Sequence, residues 1–326
     1  MSSTKQRSRI NTWGYTFEWT ADHQSAEELR HLIFSYDELA TQCLDRFDDI
    51  RSLPLRNKIK SKSDGKESDD VCPHPDFYEL LRDRAPEDEL LQQLWDEVTT
   101  IPSWVDWDQI ARGQKVFYRY AGPSIVGLTF VSLLGGMGSS RVVETLTRTG
   151  GFGVHVARHR LLETFQHVLE VTHSPASLRP GGKGFASSIR VRFLHASVRR
   201  RILSLARSNP SYYPLSAHGI PINDLDSLAT ILAFSAALVW IAFPRQGIFL
   251  RSHEAEDYLA LWRYVAHLLG CPTTPYLSTP RSTKALMESL LLSELSPSPT
   301  SQLLANNLIL ALRAGSTVAP SPTRWR

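Results

Sequence analysis

Three stretches of this chain carry residue types that do chemistry when brought together. The first runs from Ser187 to Ile202, SSIRVRFLHASVRRRI. Val191, Leu194, His195, Val198 and Ile202 recur at helical spacing and predict one apolar face that includes the histidine. Arg192, Arg199, Arg200 and Arg201 fall largely on the opposite side. A neutral imidazole can ligate a metal, act in proton transfer, or sit in a core with one hydrogen bond. No acidic residue separates Glu170 from Asp224, whereas Arg179, Lys183, Arg190, Arg192, Arg199, Arg200, Arg201 and Arg207 lie between them. That block needs anions: phosphates, lipid, carboxylates elsewhere in the fold, or those of a bound cofactor.

The second stretch is HVARHRLLETFQHVLEVTH, His155 to His173. Arg160 and Thr164 are four residues apart and share a helix face. Such a pair can position an oxygen species or a carbonyl; equally, the arginine can pair with a carboxylate and the hydroxyl can bond back to the helix. His155 and His159 have the spacing of helical zinc ligands, but no HExxH motif or cysteine partner accompanies them. The third stretch, SSRVVETLTRTGGFG, places Glu144 among Val142, Val143 and Leu146. A carboxylate in that setting is a candidate base, or half of an ion pair. Gly150 and Gly151 are read as the stop of its short helix.

The elements that must hold these residues read as helices almost throughout. Apolar residues make up 42% of the 326, with eight Trp, ten Tyr and thirteen Phe, enough for a sizeable core. Net charge is +3, so no global field argues for nucleic acid. Cys43, Cys72 and Cys271 form no CxxC pair and indicate neither zinc nor a disulfide framework. The N-terminus lacks a signal-peptide core. The longest apolar run, Ser227 to Phe243, is shorter than the roughly 20 residues of a spanning helix and reads as a buried core helix.

Leu29, Leu32, Ile33, Tyr36, Leu39 and Cys43 predict one amphipathic helix, and Lys60 to Asp70 a polar loop. One helical block is expected from about Asp76 to Thr99, then an aromatic elbow with Asp106 as N-cap, then a buried glycine-rich helix from Gly122 to Gly138. GGMGSS lacks the lysine of a phosphate loop. Helices follow over Ser140–Arg148, Val154–Val171, Ser188–Arg207, Leu225–Phe243 and Glu254–Leu269; strand-type alternation is nearly absent. The expectation is an all-α protein, one globular bundle of roughly ten helices. It divides into an N-terminal helical segment (1–56), a polar surface loop (57–71), the main helical domain (72–295) and a C-terminal helix with a polar tail (296–326).

Together, Glu144, the Arg160-x-x-x-Thr164 pair and His195 in its arginine-rich helix resemble the MpaB/rubber-oxygenase catalytic domain, the family of latex-clearing proteins and of fungal enzymes of secondary metabolism. WVDWDQIARGQKVFYRY, PINDLDSLATILAF and LWRYVAHLLGC look like the fungal branch, and the resemblance extends over roughly 102–271. It implies one b-type haem in a buried pocket, with His195 as iron ligand and Arg160 and Thr164 on the distal side. It implies Glu144 as the acid or base, dioxygen as co-substrate, and oxidative cleavage of an isoprenoid double bond. Arg192 and Arg199 are the expected cations for the haem propionates. The apolar helices Gly122–Gly138 and Ser227–Phe243 are the expected walls for a small hydrophobic substrate.

The chain departs from the family in three places. Glu163 stands where some rubber oxygenases have lysine, and neither a secretion signal nor a membrane-anchoring N-terminal helix is found. The reading is therefore an intracellular oxygenase, compatible with peripheral contact at the endoplasmic reticulum and without a nucleic-acid partner. Two alternatives stand beside it: a haem-free pocket enzyme such as a cyclase or dehydratase, and a basic helical module for RNA or anionic membrane.

Overall fold

The computed structural model of the chain describes residues 9–59, 76–148 and 152–314. The expected polar loop at 60–70 and the helix stop at 150–151 lie outside the described residues. The fold is all-α, with one small hairpin. In that hairpin β1 (Arg9–Thr12) pairs antiparallel with β2 (Tyr15–Glu18). Trp13 and Gly14 turn it with positive φ of 53° and 70°, the backbone of a two-residue hairpin turn. This element was not expected, because its alternation covers only a few residues.

The helices are α1 (Glu38–Ile59), α2 (Phe77–Arg84), α3 (Glu89–Thr99), α4 (Trp107–Arg119), α5 (Ala121–Gly127), α6 (Ser140–Thr147), α7 (Val154–Thr172), α8 (Lys183–Ser208), α9 (Asp224–Phe234), α10 (Ser252–Leu268), α11 (Pro280–Ser293) and α12 (Pro299–Ala314). The starts follow side-chain chemistry. Asp76, Asp88, Asp106 and Asn223 each accept from a backbone N–H of the first turn, satisfying donors that the helix leaves open.

The first expected helix is instead broken. A single turn at Ala26–Leu29 and a 3₁₀ turn at Arg30–Ile33 precede α1. The break lets the Ile33 carbonyl accept from Ile220 N–H and turns the Asp37 carboxylate toward α8. Likewise 76–99 is two helices, because Ala85–Glu87 tightens to 3₁₀ with Pro86 and Asp88 restarts the chain.

One apolar core joins α1 to α4, α7 to α11 and the turns between them. α10 packs closely on α4. A Cβ on Gly113 would lie 2.2 Å from the Asp257 carbonyl, and Arg112 grips the Asp257 carboxylate at 2.8 and 3.0 Å. The expected aromatic elbow forms here: Trp107 stands edge-on to Tyr264 at 5.3 Å, and the Arg263 guanidinium lies 4.0 Å over Trp104. A second cluster is built by α6, the start of α7 and α12, with Val143, Phe152, Ala157, Leu304 and Leu308 buried in it.

Asp224–Arg245 is the one described stretch long and apolar enough to cross a membrane by length and composition, and 61% of its most apolar window is buried. It continues from α9 through a π-helical turn at Leu238–Ala242. α5 also continues as a π-helical turn, Leu128–Leu134. The glycine-rich helix is not wholly buried as expected. Gly127 sits so close to Ala242 that a Cβ would lie 2.7 Å from it, while Phe130 on the other side is 61% exposed.

Candidate functional site

α7 and α8 form an antiparallel hairpin closed through the one-turn helix Pro175–Leu178. The pairing starts at Gly184, where a Cβ would lie 2.7 Å from the Glu170 carbonyl; only glycine permits that approach. The Ser177 hydroxyl ties the turn together, donating to the Glu170 carbonyl at 2.6 Å and accepting from Gly184 N–H at 2.9 Å. One turn outward, His167 Nδ1 and the Ser187 hydroxyl share a hydrogen bond of 2.8 Å.

From this crossing Thr164 lies three residues back along α7, Arg160 seven back, and His195 eight forward along α8. At about 1.5 Å of rise per residue, Arg160 and His195 both stand roughly 11–12 Å from the crossing. The hairpin thus sets Arg160 and His195 at one level on facing helices. Between these levels the two helices leave apolar surface open. Leu162 is 59% and Leu194 56% exposed, and Phe165 is exposed as well. Thr164 is exposed beside them. These side chains form an exposed apolar strip along α7 and α8, and the partly buried His195 lies beside it.

The orientation of α8 corrects the expectation from sequence. Ile189, Arg192, Phe193, Ala196, Arg199 and Ile202 face the core, and Leu194 faces out. The helix is turned because two arginines find partners inside. Arg192 donates to both Asp37 oxygens at 2.7 and 2.8 Å and to Glu97 at 2.8 Å. Arg199 donates to the carbonyls of Ile222 at 2.8 Å and Pro221 at 3.3 Å and to Thr41 at 3.1 Å, and lies over the Tyr36 ring. Their expected role toward haem propionates is therefore not what the fold uses them for: they bind carboxylates and carbonyls of the protein. Arg190 likewise holds Asp76, and Arg200 holds Asp45 and Asp48.

His195 lies at the border between this core face and the open apolar strip of Val191, Leu194 and Val198. Burial above all, with the Arg199 and His167 charges adding to it, lowers its pKa from 6.5 to about 4. The ring is thus the neutral imidazole that binds metal. Neither ring nitrogen has a hydrogen-bond partner among the described residues. His167 is held neutral in the same way, at about 4, and its Nε2 is buried without a partner. A histidine in a helix of many histidines gave no sequence signal for this; only the crossing with Ser187 shows it.

Glu144 pairs through Oε1 with Arg148 at 2.6 Å. Arg148 is held in turn by the Tyr212 carbonyl and lies over the Tyr212 and Tyr213 rings. The carboxylate thus forms the ion pair that is one of its two readings. Burial lowers the pKa of Arg160, and its guanidinium lies 5.8 Å over Phe152. Phe152 belongs to the second apolar cluster, as do Leu146 and Leu161, so Glu144 and Arg160 border the same apolar mass. His159 lies 3.1 Å from Glu163 on the exposed side of α7. Among the described residues no group of three metal-ligating side chains stands together.

On the far side of that cluster lies a cavity of about 660 Å³, lined by Phe130, Leu134 and Met137, by Ile241, and by Ala305 of α12. Both apolar helices expected to wall a hydrophobic pocket contribute to it.

These features define a helical protein with a neutral imidazole, His195, and an arginine, Arg160, at matching levels of one helical hairpin. The fold is that of a latex-clearing protein. It matches the solved "Structure of Latex Clearing Protein LCP in the closed state" with a TM-score of 0.56, over 85% of this chain and 69% of that one, at 20% identity. Residues 118–326 match the family model "ER-bound oxygenase mpaB/B'/Rubber oxygenase, catalytic domain", and the chain belongs to that family. The Rubber oxygenase of Streptomyces sp. (strain K30) is 25% identical over 186 residues, which are 55% of this chain and 42% of that protein. The match thus spans less than half the length of that relative.

Proposed function

We propose that the protein is a haem-dependent oxygenase acting on a small hydrophobic, isoprenoid-like substrate. Membership in an oxygenase family supports the reaction class. The observation that carries the haem reading is His195: a neutral imidazole with no hydrogen-bond partner among the described residues, beside an exposed apolar strip and level with Arg160. The exposed apolar strip suits the face of a flat apolar cofactor, whose iron His195 would hold. Haem so bound supplies the means of activating dioxygen. The chain's own groups do the rest. Arg160 presents a cation where negative charge would develop, and Thr164 adds a hydroxyl on the same face. Glu144, aligned by Arg148, is the carboxylate for proton transfer at the substrate. The open leucines and Phe165 exclude water once covered.

The test is an absorption spectrum of the purified protein, as isolated and after dithionite. A Soret band that disappears in His195→Ala is expected; well-folded protein with neither haem nor iron after haem supplementation would sink the reading.

A second reading has one observation in its favour. Arg192 and Arg199 are occupied by Asp37, Glu97 and backbone carbonyls, so these cations do not await propionates. A haem-free pocket enzyme, a cyclase or dehydratase, would keep Glu144 and Arg160 as acid–base and anion-stabilising groups. Turnover that survives His195→Ala under anaerobic conditions would select it. Within the basic block Arg190, Arg192 and Arg200 have acidic partners, which favours a protein without a nucleic-acid role.

A further inference from the structure

The cavity of about 660 Å³ has a volume suited to a drug-sized or lipid-sized ligand. Its interior is apolar, and the lining contains a single charged residue, Arg245. No aspartate or glutamate lines it. Arg245 donates one hydrogen bond, from Nη2 to the Trp13 carbonyl at 2.6 Å, and among the described residues no carboxylate pairs with it. That contrasts with Arg141, Arg190, Arg192 and Arg200, each of which has an acidic partner. Arg245 is exposed, as are Trp13 and Phe130, which line the cavity with it. An apolar chamber with exposed aromatics and one uncompensated guanidinium is complementary to a molecule with an apolar chain and an anionic head.

We propose that this cavity binds an amphiphile: an acyl or prenyl chain in the interior, and a carboxylate or phosphate head on Arg245. The inner wall supports it. Leu134, Met137 and Ala305 line the cavity and also pack in the second apolar cluster, whose Phe152 lies under the Arg160 guanidinium. The site is separate from His195, and occupancy does not depend on haem, so it can fail while the haem reading stands, and the reverse.

The experiment is isothermal titration of the full chain with decanoate, decyl phosphate and decanol, all below micelle-forming concentrations. Both anions are expected to bind about tenfold or more tightly than the alcohol, in line with one charge-assisted contact. The stronger of the two identifies the head group. Arg245→Gln is expected to erase the preference for the anions while decanol affinity stays; Arg245→Lys restores part of it. Gly135 lines the cavity, and a Cβ there meets nothing closer than 3.9 Å. Gly135→Trp therefore fills the chamber without a clash at the backbone and is expected to remove all three ligands, with the circular dichroism spectrum and Tm unchanged. Equal affinity for decanoate, decyl phosphate and decanol, a preference indifferent to Arg245→Gln, or binding that persists in a folded Gly135→Trp protein would each overturn the proposal.

Discussion

At the scale of single residues, the protein buries charge and keeps imidazoles neutral. Arg192 is 2% exposed and holds Asp37 at 9%. Its removal leaves a buried carboxylate without a partner, which costs about 3–5 kcal/mol. Arg192→Met is therefore expected to lower Tm by many degrees, and Arg192→Lys to recover only part, since an ammonium cannot form the two-pronged contact. The histidines make a second prediction. Burial lowers His167 and His195 from 6.5 to about 4 in the folded state. Between those values the unfolded chain takes up protons that the folded chain refuses. Stability is therefore full above pH 6.5 and falls as the pH drops toward 4, by a few kcal/mol for the two together. Urea titrations of the haem-free protein at pH 7 and pH 5 measure this. His167→Gln is expected to remove a substantial share of the pH dependence; an unchanged pH dependence would refute it.

At the scale of elements, the hairpin of α7 and α8 is the device that sets Arg160 level with His195. Its pitch is fixed by the backbone contact at Gly184 and the His167–Ser187 hydrogen bond. Gly184→Val forces atoms into the Glu170 carbonyl. It is expected to cost about 1–3 kcal/mol by overpacking and, under the haem reading, to weaken haem retention although it touches neither Arg160 nor His195. Retention measured by transfer of haem to an acceptor protein checks this. Gly184→Ala is expected to show the same effect, smaller.

At the scale of the whole molecule, the two larger of three apolar clusters among the described residues are of unequal size. The larger is tied through many elements, whereas the smaller depends on α12. Leu308 is fully buried there, and the side chain of Asn307 donates to the Phe152 carbonyl at 2.9 Å. Leu308→Ala is expected to cost about 2–5 kcal/mol. In hydrogen exchange, the amides of α6 and of the first turns of α7 should lose protection before those of α10. Uniform loss across all helices would show instead that the two masses unfold as one.

Much of the molecule was legible in the sequence, and the rest was hidden for a definable reason. The all-α class, the ends of α7 and α10, the C-terminal end of α8, the Asp106 cap and the aromatic elbow follow from periodicity and local side-chain chemistry. These act over one or two helical turns. What failed was facing. α8 carries arginine on nearly every turn, and sequence periodicity assigns charge to the outside. Arg192 turns inward because Asp37 waits there, 155 positions away in sequence. The same distance conceals the Glu97 partner, the Ser187 hydroxyl on His167 and the single charge in the lining of the cavity. The sequence by itself determined which helices form and supplied Glu144, Arg160, Thr164 and His195. Only the tertiary structure decided which way each helix turns, because that depends on partners contributed by segments remote in the chain.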